Sequence, residues 1–431
     1  MSQPRQYINL VVGGHFKSGK STLMAHFLYE VGGIDKRSME KAEREAQEIG
    51  MVDTKYSRLL DYTINERNAD KTINTKTWKI ITRRFDISMT DIPGCKKLKK
   101  NAIRGIQQAD IGTFVVSAVK HEFEFFLNET KELLIYYKTF LIDNILICVN
   151  KMSCVEYSEE IFNNVKSTMT QFLKSLHFDL QKVTFIPTDG FEGDNLIEKS
   201  PNMGWFNEKT YLDELDSLKF CRKICEKPLR IVVEKVSSII GIGTICSCVI
   251  ESGVLVKKQM LRIAPSGATT TCESIERHHE DLSLAKERDY VGIRTQYLKY
   301  NEYHIGDILS DPNNHPAIRC GSFEAKIVMM FDQRITERYD PVLNIHMKQI
   351  NCYIKVNSVF NRQEDVTTNE QEVVLKKGET AMVTITPLKK LCVEKFTDYP
   401  KLGTFVIRDS NKTVAVGVVT DVTPYSKVRS Y

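Results

Sequence analysis

The sequence predicts an α/β domain of the P-loop type, built on a mostly parallel sheet and followed by two small antiparallel β-barrels. Three observations carry that prediction. The run Gly14-His15-Phe16-Lys17-Ser18-Gly19-Lys20-Ser21-Thr22 fits the phosphate-loop pattern G-x-x-x-x-G-K-[ST]. It lies between an apolar run, Ile8 to Val12, and a stretch of helical spacing that includes Leu23, Ala25, Phe27, Leu28 and Val31. Up to about Lys227 strand-like and helix-like segments alternate, the signature of a parallel sheet wrapped by helices. From Pro228 onward the texture changes to short β-rich segments broken by Gly, Pro, Asn and Asp, as small barrels require.

Composition narrows the class. At 431 residues the chain is long enough for two to four domains, each with its own core. Hydrophobic content of 42% and charged content of 27% are those of an ordinary globular protein. No apolar stretch reaches the roughly 18 residues of a membrane span, and Met1-Ser2-Gln3-Pro4-Arg5 does not read as a signal peptide. Eleven irregularly spaced cysteines then read as free thiols in a reducing cytoplasm. Cys221/Cys225 and Cys246/Cys248 lack the second ligand pair of a zinc site. A net charge of +5 is mild and demands no nucleic acid by itself. The densest basic cluster, Lys96-Lys97-Leu98-Lys99-Lys100, has a solvated helix face as its plain reading, but its place just after Asp91-Ile92-Pro93-Gly94 gives it more interest than that.

In the first domain the expected strands are Ile8–Val12, Thr77–Arg83, Phe85–Thr90, Ile111–Ala118, Asn144–Asn150 and Val183–Pro187. Ligands in such folds lie at the carboxyl ends of the strands, where the motifs fall. In the loop Gly14–Thr22, glycines let backbone N–H groups turn toward phosphate oxygens, and the following helix adds the positive end of its dipole. Gly14, His15, Lys17, Ser18, Gly19, Lys20, Ser21 and Thr22 are therefore candidate nucleotide-binding residues. Lys20 would reach the β- and γ-phosphates, and the Ser21 hydroxyl would take a Mg²⁺ position. Thr72, in the segment after Glu66, has the hydroxyl that such loops place on Mg²⁺ when triphosphate is bound. After the third strand, Asp91-Ile92-Pro93-Gly94 matches a D-x-x-G switch: Asp91 would hold Mg²⁺, and the Gly94 N–H would touch the γ-phosphate. Asn150-Lys151-Met152-Ser153 ends the fifth strand, where a base-reading N-K-x-D is expected.

With these motifs in place the chain resembles the elongation factor 1-alpha family, the GTPases that carry aminoacyl-tRNA to the ribosome. Gly14–Thr22, Gly32–Arg37, Asp91–Gly94, Asn150–Met152 and Gly193-Asp194-Asn195 stand where that family has its own motifs, and the resemblance runs along nearly the whole chain. It implies an α/β P-loop GTPase domain (1–227) followed by two small antiparallel β-barrel domains (228–314 and 315–431). It implies GTP/GDP and Mg²⁺ as ligands, with the ribosome, tRNA and other translation factors as partners, and no membrane. Ser274-Ile275-Glu276-Arg277-His278-His279-Glu280 resembles a family segment that holds the terminal adenosine of tRNA, which makes Glu276, His278 and His279 candidate tRNA-end contacts. The segments Cys392–Pro400, Leu402–Asp409 and Thr413–Val419 resemble the family's third domain.

Departures from the family cluster in the chemistry. The family's D-A-P-G-H ends in a histidine that helps position the attacking water; here Cys95 stands there, and a thiol is a weak donor. The family's N-K-M-D aspartate accepts two hydrogen bonds from guanine; here it is Ser153. The family's S-G-W becomes Asp189-Gly190-Phe191, its R-G-I-T becomes Ala69-Asp70-Lys71-Thr72, and Lys17 replaces an acidic residue. The phosphate cradle is retained while catalytic and base-reading elements are changed. The expectation is a factor that occupies ribosome or tRNA with a weak or inactive GTPase, the alternative being a divergent elongation factor that delivers aminoacyl-tRNA with GTP hydrolysis. A GTPase subunit of a sulfate-activating enzyme shares the domain order but fits the third-domain motifs less well.

Overall fold

The longest apolar runs of the first half become neighbouring strands, as parallel strands buried on both faces must. In the computed structural model, which describes residues 5–60, 66, 72, 75–220, 227–239, 243–277, 280–296, 302–336, 338–360, 372–410 and 412–426, the chain divides into two units, 1–221 and 222–431. The first unit holds β1 (Gln6–Gly14), β2 (Lys76–Ile81), β3 (Phe85–Asp91), β4 (Ile111–Ser117), β5 (Ile145–Asn150) and β6 (Val183–Pro187). They form one sheet in the order β2-β3-β1-β4-β5-β6, antiparallel only between β2 and β3. Every residue of β4 and β5 is buried. Because β1, β3, β4, β5 and β6 run the same way, Gly14, Asp91, Asn150 and Pro187 end their strands at one edge of the sheet.

Helices cover the sheet: α1 (Lys20–Glu30), α2 (Lys36–Glu48), α3 (Lys55–Leu60), α4 (Lys99–Gln108), α5 (Lys120–Phe125), α6 (Leu127–Thr139), α7 (Glu159–Ser175) and α8 (Tyr211–Ser217). Three start on side-chain caps: Asp35 accepts from the Ser38 N–H, Ser158 from Ile161 and Thr210 from Asp213. α1 starts differently. Its cap is Gly19, in the left-handed region at φ 82°, and no side chain caps its first turn among the described residues. The basic cluster does not behave as a uniform solvated face: Lys99 is buried and paired with Glu132.

The second unit holds two closed barrels. The first runs Met260–Ala264, Ile308–Ser310, Arg230–Ile239, Gly243–Ser252, Tyr290–Thr295 and Thr269–Arg277, and closes where Thr269–Arg277 pairs back onto Met260–Ala264. The second runs Thr380–Pro387, Lys348–Val359, Val342–Ile345, Thr404–Asp409, Lys412–Pro424 and Arg319–Met329, and closes through Arg319–Met329 on Thr380–Pro387. Closure leaves no open sheet edge among those six strands in either barrel. No helix among the described residues is long and apolar enough to cross a membrane. All nine cysteines among the described residues are free; Cys221 and Cys225 lie outside them.

Two ion pairs tie one barrel to the other. Lys348 donates to Asp307 at 2.6 Å, and Arg230 donates to Glu394 at 2.5 Å, with the Tyr399 ring over the guanidinium. Val232, Ala264, Ile308, Ala317, Cys392 and Leu402 pack beside them. Burial holds the Glu394 carboxyl above its ordinary value although Arg230 opposes it, so desolvation here outweighs the attraction. Removing only the cation then leaves a buried, uncompensated carboxylate. Arg230→Met should lower the stability of this unit by about 3 kcal/mol in denaturant unfolding, and adding Glu394→Leu should recover most of the loss. Equal losses for the single and the double variant would contradict this account.

Candidate functional site

A cleft of about 620 Å³ opens at the carboxyl edge of the sheet, the size of a small-ligand pocket. Lys17, Gly19, Lys20, Ser21 and Thr22 line it, with Thr72, Gly94, Cys95, Asn150, Lys151, Ser153 and Asp189. Most of the site residues expected from sequence in the first unit thus converge. Close backbone packing shapes the loop. A Cβ at Gly14 would meet the Val115 carbonyl at 2.2 Å, and one at Gly94 would meet the Gly14 carbonyl at 2.6 Å. The switch glycine therefore lies directly against the phosphate loop. His15 does not line the cleft. It is fully buried, stacks on Phe126 with ring centroids 4.9 Å apart, and contacts backbone through both nitrogens. Nε2 accepts the Ser117 N–H at 3.3 Å, so Nδ1 carries the proton and donates to the Phe16 carbonyl at 2.8 Å. Its contribution is the loop's shape.

The three oxygens expected around Mg²⁺ meet. Ser21 Oγ donates to Asp91 Oδ2 at 2.9 Å, Thr72 Oγ1 lies 3.1 Å from Ser21 Oγ, and Thr72 also donates to Oδ2 at 3.4 Å. Asp91 is fully buried, and its Oδ1 has no hydrogen-bond partner among the described residues. Burial raises the Asp91 pKa, with Lys20 and the two hydroxyls opposing it. One unsatisfied carboxylate oxygen beside two hydroxyls is a hard oxygen set, and it fits Mg²⁺. The described residues contain no cluster of three or more His, Cys, Asp or Glu suited to a metal. The two lysines of the loop part company: Lys20 is buried beside Asp91, whereas Lys17 is exposed, at φ 61°, with Nζ 5.8 Å from the Phe16 ring centroid.

The far end of the cleft is organised by Asn150. Its Nδ2 donates to the Ser18 carbonyl at 2.9 Å, and its Oδ1 accepts the Gly190 N–H at 2.7 Å. Beside it, Asp189 accepts the Ser153 N–H at 3.0 Å and the Ser153 hydroxyl at 2.5 Å on Oδ2. Its Oδ1 accepts the N–H groups of Phe191 and Glu192 at 3.0 and 3.1 Å. Lys151 donates to both oxygens of Glu122, at 2.9 and 2.8 Å, and the Ser117 hydroxyl donates to Glu122 as well. Burial acts to raise the Glu122 pKa, but these donors pull it down overall. Sequence reading missed Glu122, since nothing in its local pattern marks it. It also missed His26, which stacks on Tyr56 at 4.2 Å and lies 3.0 Å from the Gly190 carbonyl through Nδ1.

Cys95 is half-buried and faces the cleft at the switch end, next to Gly94. Glu276 lies elsewhere, exposed on the barrel strand Thr269–Arg277. His278 and His279 lie outside the described residues, as do Ala69, Asp70 and Lys71.

Comparison with known proteins covers nearly the whole chain. Residues 5–238 match the family model "Elongation factor Tu GTP binding domain", residues 243–310 match "Elongation factor Tu domain 2", and residues 322–420 match "GTP-eEF1A C-terminal domain-like". The chain is 37% identical over 430 residues to elongation factor 1-alpha of Entamoeba histolytica, covering 98% of this chain and 97% of that one. It is 37% identical over 427 residues to elongation factor 1-alpha of Plasmodium falciparum, covering 98% and 96%. Among solved structures it is similar to the S. cerevisiae Ski7 GTPase-like domain bound to GTP, with TM-score 0.79 and 16% identity over 96% of this chain and 97% of that one. It is also similar to apo SelB of Methanococcus maripaludis, with TM-score 0.67 and 18% identity over 98% of this chain and 81% of that one. At those identities the structural likeness speaks for the fold alone.

Two measurements test the site. Burial pushes the His15 pKa down to about 4 against an ordinary 6.5, with Phe16 and Glu122 opposing and Lys20 adding to the shift. The unfolded chain therefore takes up this proton first as pH falls. The stability conferred by neutral His15 is complete above pH 6.5 and is lost between there and pH 4, by roughly 3 kcal/mol. His15→Gln should flatten the pH dependence of unfolding in that window; an unchanged slope would contradict the assignment. Asp91→Asn should raise the melting temperature of the ligand-free protein by about 2–4 °C, since it removes a poorly compensated buried charge. It should also abolish any Mg²⁺-dependent stabilisation by GTP. Retained Mg²⁺ dependence would place the metal elsewhere.

Proposed function

This chain belongs to the elongation factor 1-alpha family of translational GTPases, and from that membership we propose that it is a nucleotide-holding factor of the translation machinery with weak or absent GTP turnover. In this reading it engages the ribosome, tRNA or both in the cytoplasm as a binding or regulatory factor. One observation carries it. At the end of the cleft proposed for metal and phosphate, Ser21, Thr72 and Asp91 are in mutual contact, while the position next to Gly94 holds the Cys95 thiol. Retention there needs only backbone N–H groups, Lys20 and hard oxygens. Hydrolysis needs a group that orients water, and a thiol is a poor one.

Ser21, Thr72 and Asp91 would hold Mg²⁺, which when bound neutralises charge on the phosphates. Lys20 would neutralise the β- and γ-phosphates, the Gly94 N–H would meet the γ-phosphate, and Asn150, Lys151, Ser153 and Asp189 would surround the base. The division into a nucleotide domain (1–227) and two barrels (228–314 and 315–431) belongs to the same proposal. So does a tRNA-end contact at Glu276, which lies exposed on its barrel strand. A working elongation factor is the rival reading. It shares the intact cradle, and the residue after Gly94 separates the two.

The test is phosphate release under multiple turnover, with and without ribosomes. The unaltered chain should show little ribosome-stimulated turnover, and Cys95→His should raise the rate by roughly a hundredfold. Rapid multiple turnover by the unaltered chain on ribosomes would overturn the proposal and make this a divergent elongation factor.

A further inference from the structure

The two base-end departures form one hydrogen-bonded unit. Ser153 stands where an aspartate is expected and Asp189 where a serine is expected, so a carboxylate and a hydroxyl have exchanged places. In the structure the two side chains touch: Ser153 Oγ donates to Asp189 Oδ2 at 2.5 Å, and the Ser153 N–H donates to the same oxygen at 3.0 Å. With Phe191 and Glu192 on Oδ1, the carboxylate accepts four hydrogen bonds and is only 2% exposed. A carboxylate offers about four acceptor sites, so Asp189 has none left for a ligand. Ser153, by contrast, is half-buried, and both residues line the cleft beside Asn150 and Gly190.

A hydroxyl has one proton and two lone pairs. Asp189 takes the proton, so Ser153 can offer a ligand only acceptor capacity. That sets which purine edge it tolerates. Guanine presents N1–H and the 2-amino group as two adjacent donors on its Watson–Crick edge, whereas adenine has its one donor at the 6-amino group and an acceptor at N1, which would face an oxygen lone pair. We propose that Asp189 is a positioning residue that locks the Ser153 hydroxyl as an acceptor and so keeps the cleft selective for guanine over adenine nucleotides. Selectivity keeps its sign but is smaller than a two-oxygen carboxylate would give, because one acceptor replaces two. The inference rests on the reading that the cleft holds a nucleotide with its base at this end. It turns the two substitutions from separate losses into a coupled exchange.

The test is equilibrium binding of GTP and ATP, each with Mg²⁺, to the full chain and three variants. The unaltered chain should bind GTP more tightly than ATP. Asp189→Ser releases the Ser153 proton, which can then be donated to adenine N1. It should narrow the GTP-to-ATP preference by about tenfold, largely through tighter ATP binding. Ser153→Ala, which leaves Asp189 and its loop contacts in place, should narrow the preference through weaker GTP binding. The full exchange, Ser153→Asp with Asp189→Ser, should widen it beyond that of the unaltered chain. If Asp189→Ser and Ser153→Ala weaken both nucleotides by the same factor, the pair is merely structural and the inference fails. Equal affinity of the unaltered chain for GTP and ATP would overturn it while leaving the nucleotide-holding proposal standing. Binding of neither nucleotide would overturn both.

Discussion

The site depends on one amide, the side chain of Asn150. It ends a strand buried on both faces and paired in parallel on both edges, so its backbone has little freedom. From that fixed point it donates to the phosphate loop at Ser18 and accepts from the base-end loop at Gly190. The phosphate loop must come close to receive it: a Cβ at Gly19 would lie 2.4 Å from Asn150 Nδ2. The two loops lie more than a hundred residues apart in sequence, and this amide bridges them directly, while His26 of α1 holds the same Gly190 from its carbonyl side. Three residues further along, Ser153 meets Asp189 in the loop that Asn150 has placed.

The two ends of the cleft differ in what holds them. The phosphate end is made largely of backbone: Gly14, Gly19 and Gly94 packed too closely for side chains, and N–H groups at the start of α1 (Lys20–Glu30). Such a surface survives sequence drift so long as the glycines remain. The switch and base ends are made of side chains, and there identity decides the chemistry. Cys95, Ser153 and Asp189 all fall in that second class. Retention of nucleotide with loss of turnover, as proposed, would then follow from one pattern of change.

Much of this was legible in the sequence, for physical reasons. The strands ending in Gly14, Asn150 and Pro187 show as continuous apolar runs because both of their faces are covered, and the phosphate loop shows because glycine spacing is a backbone requirement. The meeting of Ser21, Thr72 and Asp91 follows from the same motifs. Barrel closure was less legible: it rests on Arg319–Met329 pairing with Thr380–Pro387, and such long-range register leaves no local pattern. Glu122 beneath Lys151 and Lys99 against Glu132 were hidden for the same reason. The Ser153–Asp189 pair is the instructive case. Sequence showed each residue as a separate departure from the family pattern, and only proximity shows that each answers the other.

The most direct measurement is the identity of the nucleotide released from freshly purified protein, determined by chromatography after gentle denaturation. The proposed holding of nucleotide without turnover predicts guanine nucleotide present largely as intact triphosphate, persisting over hours of incubation with Mg²⁺. Protein free of nucleotide that also fails to take up added GTP, or protein that converts bound GTP promptly to GDP, would contradict it.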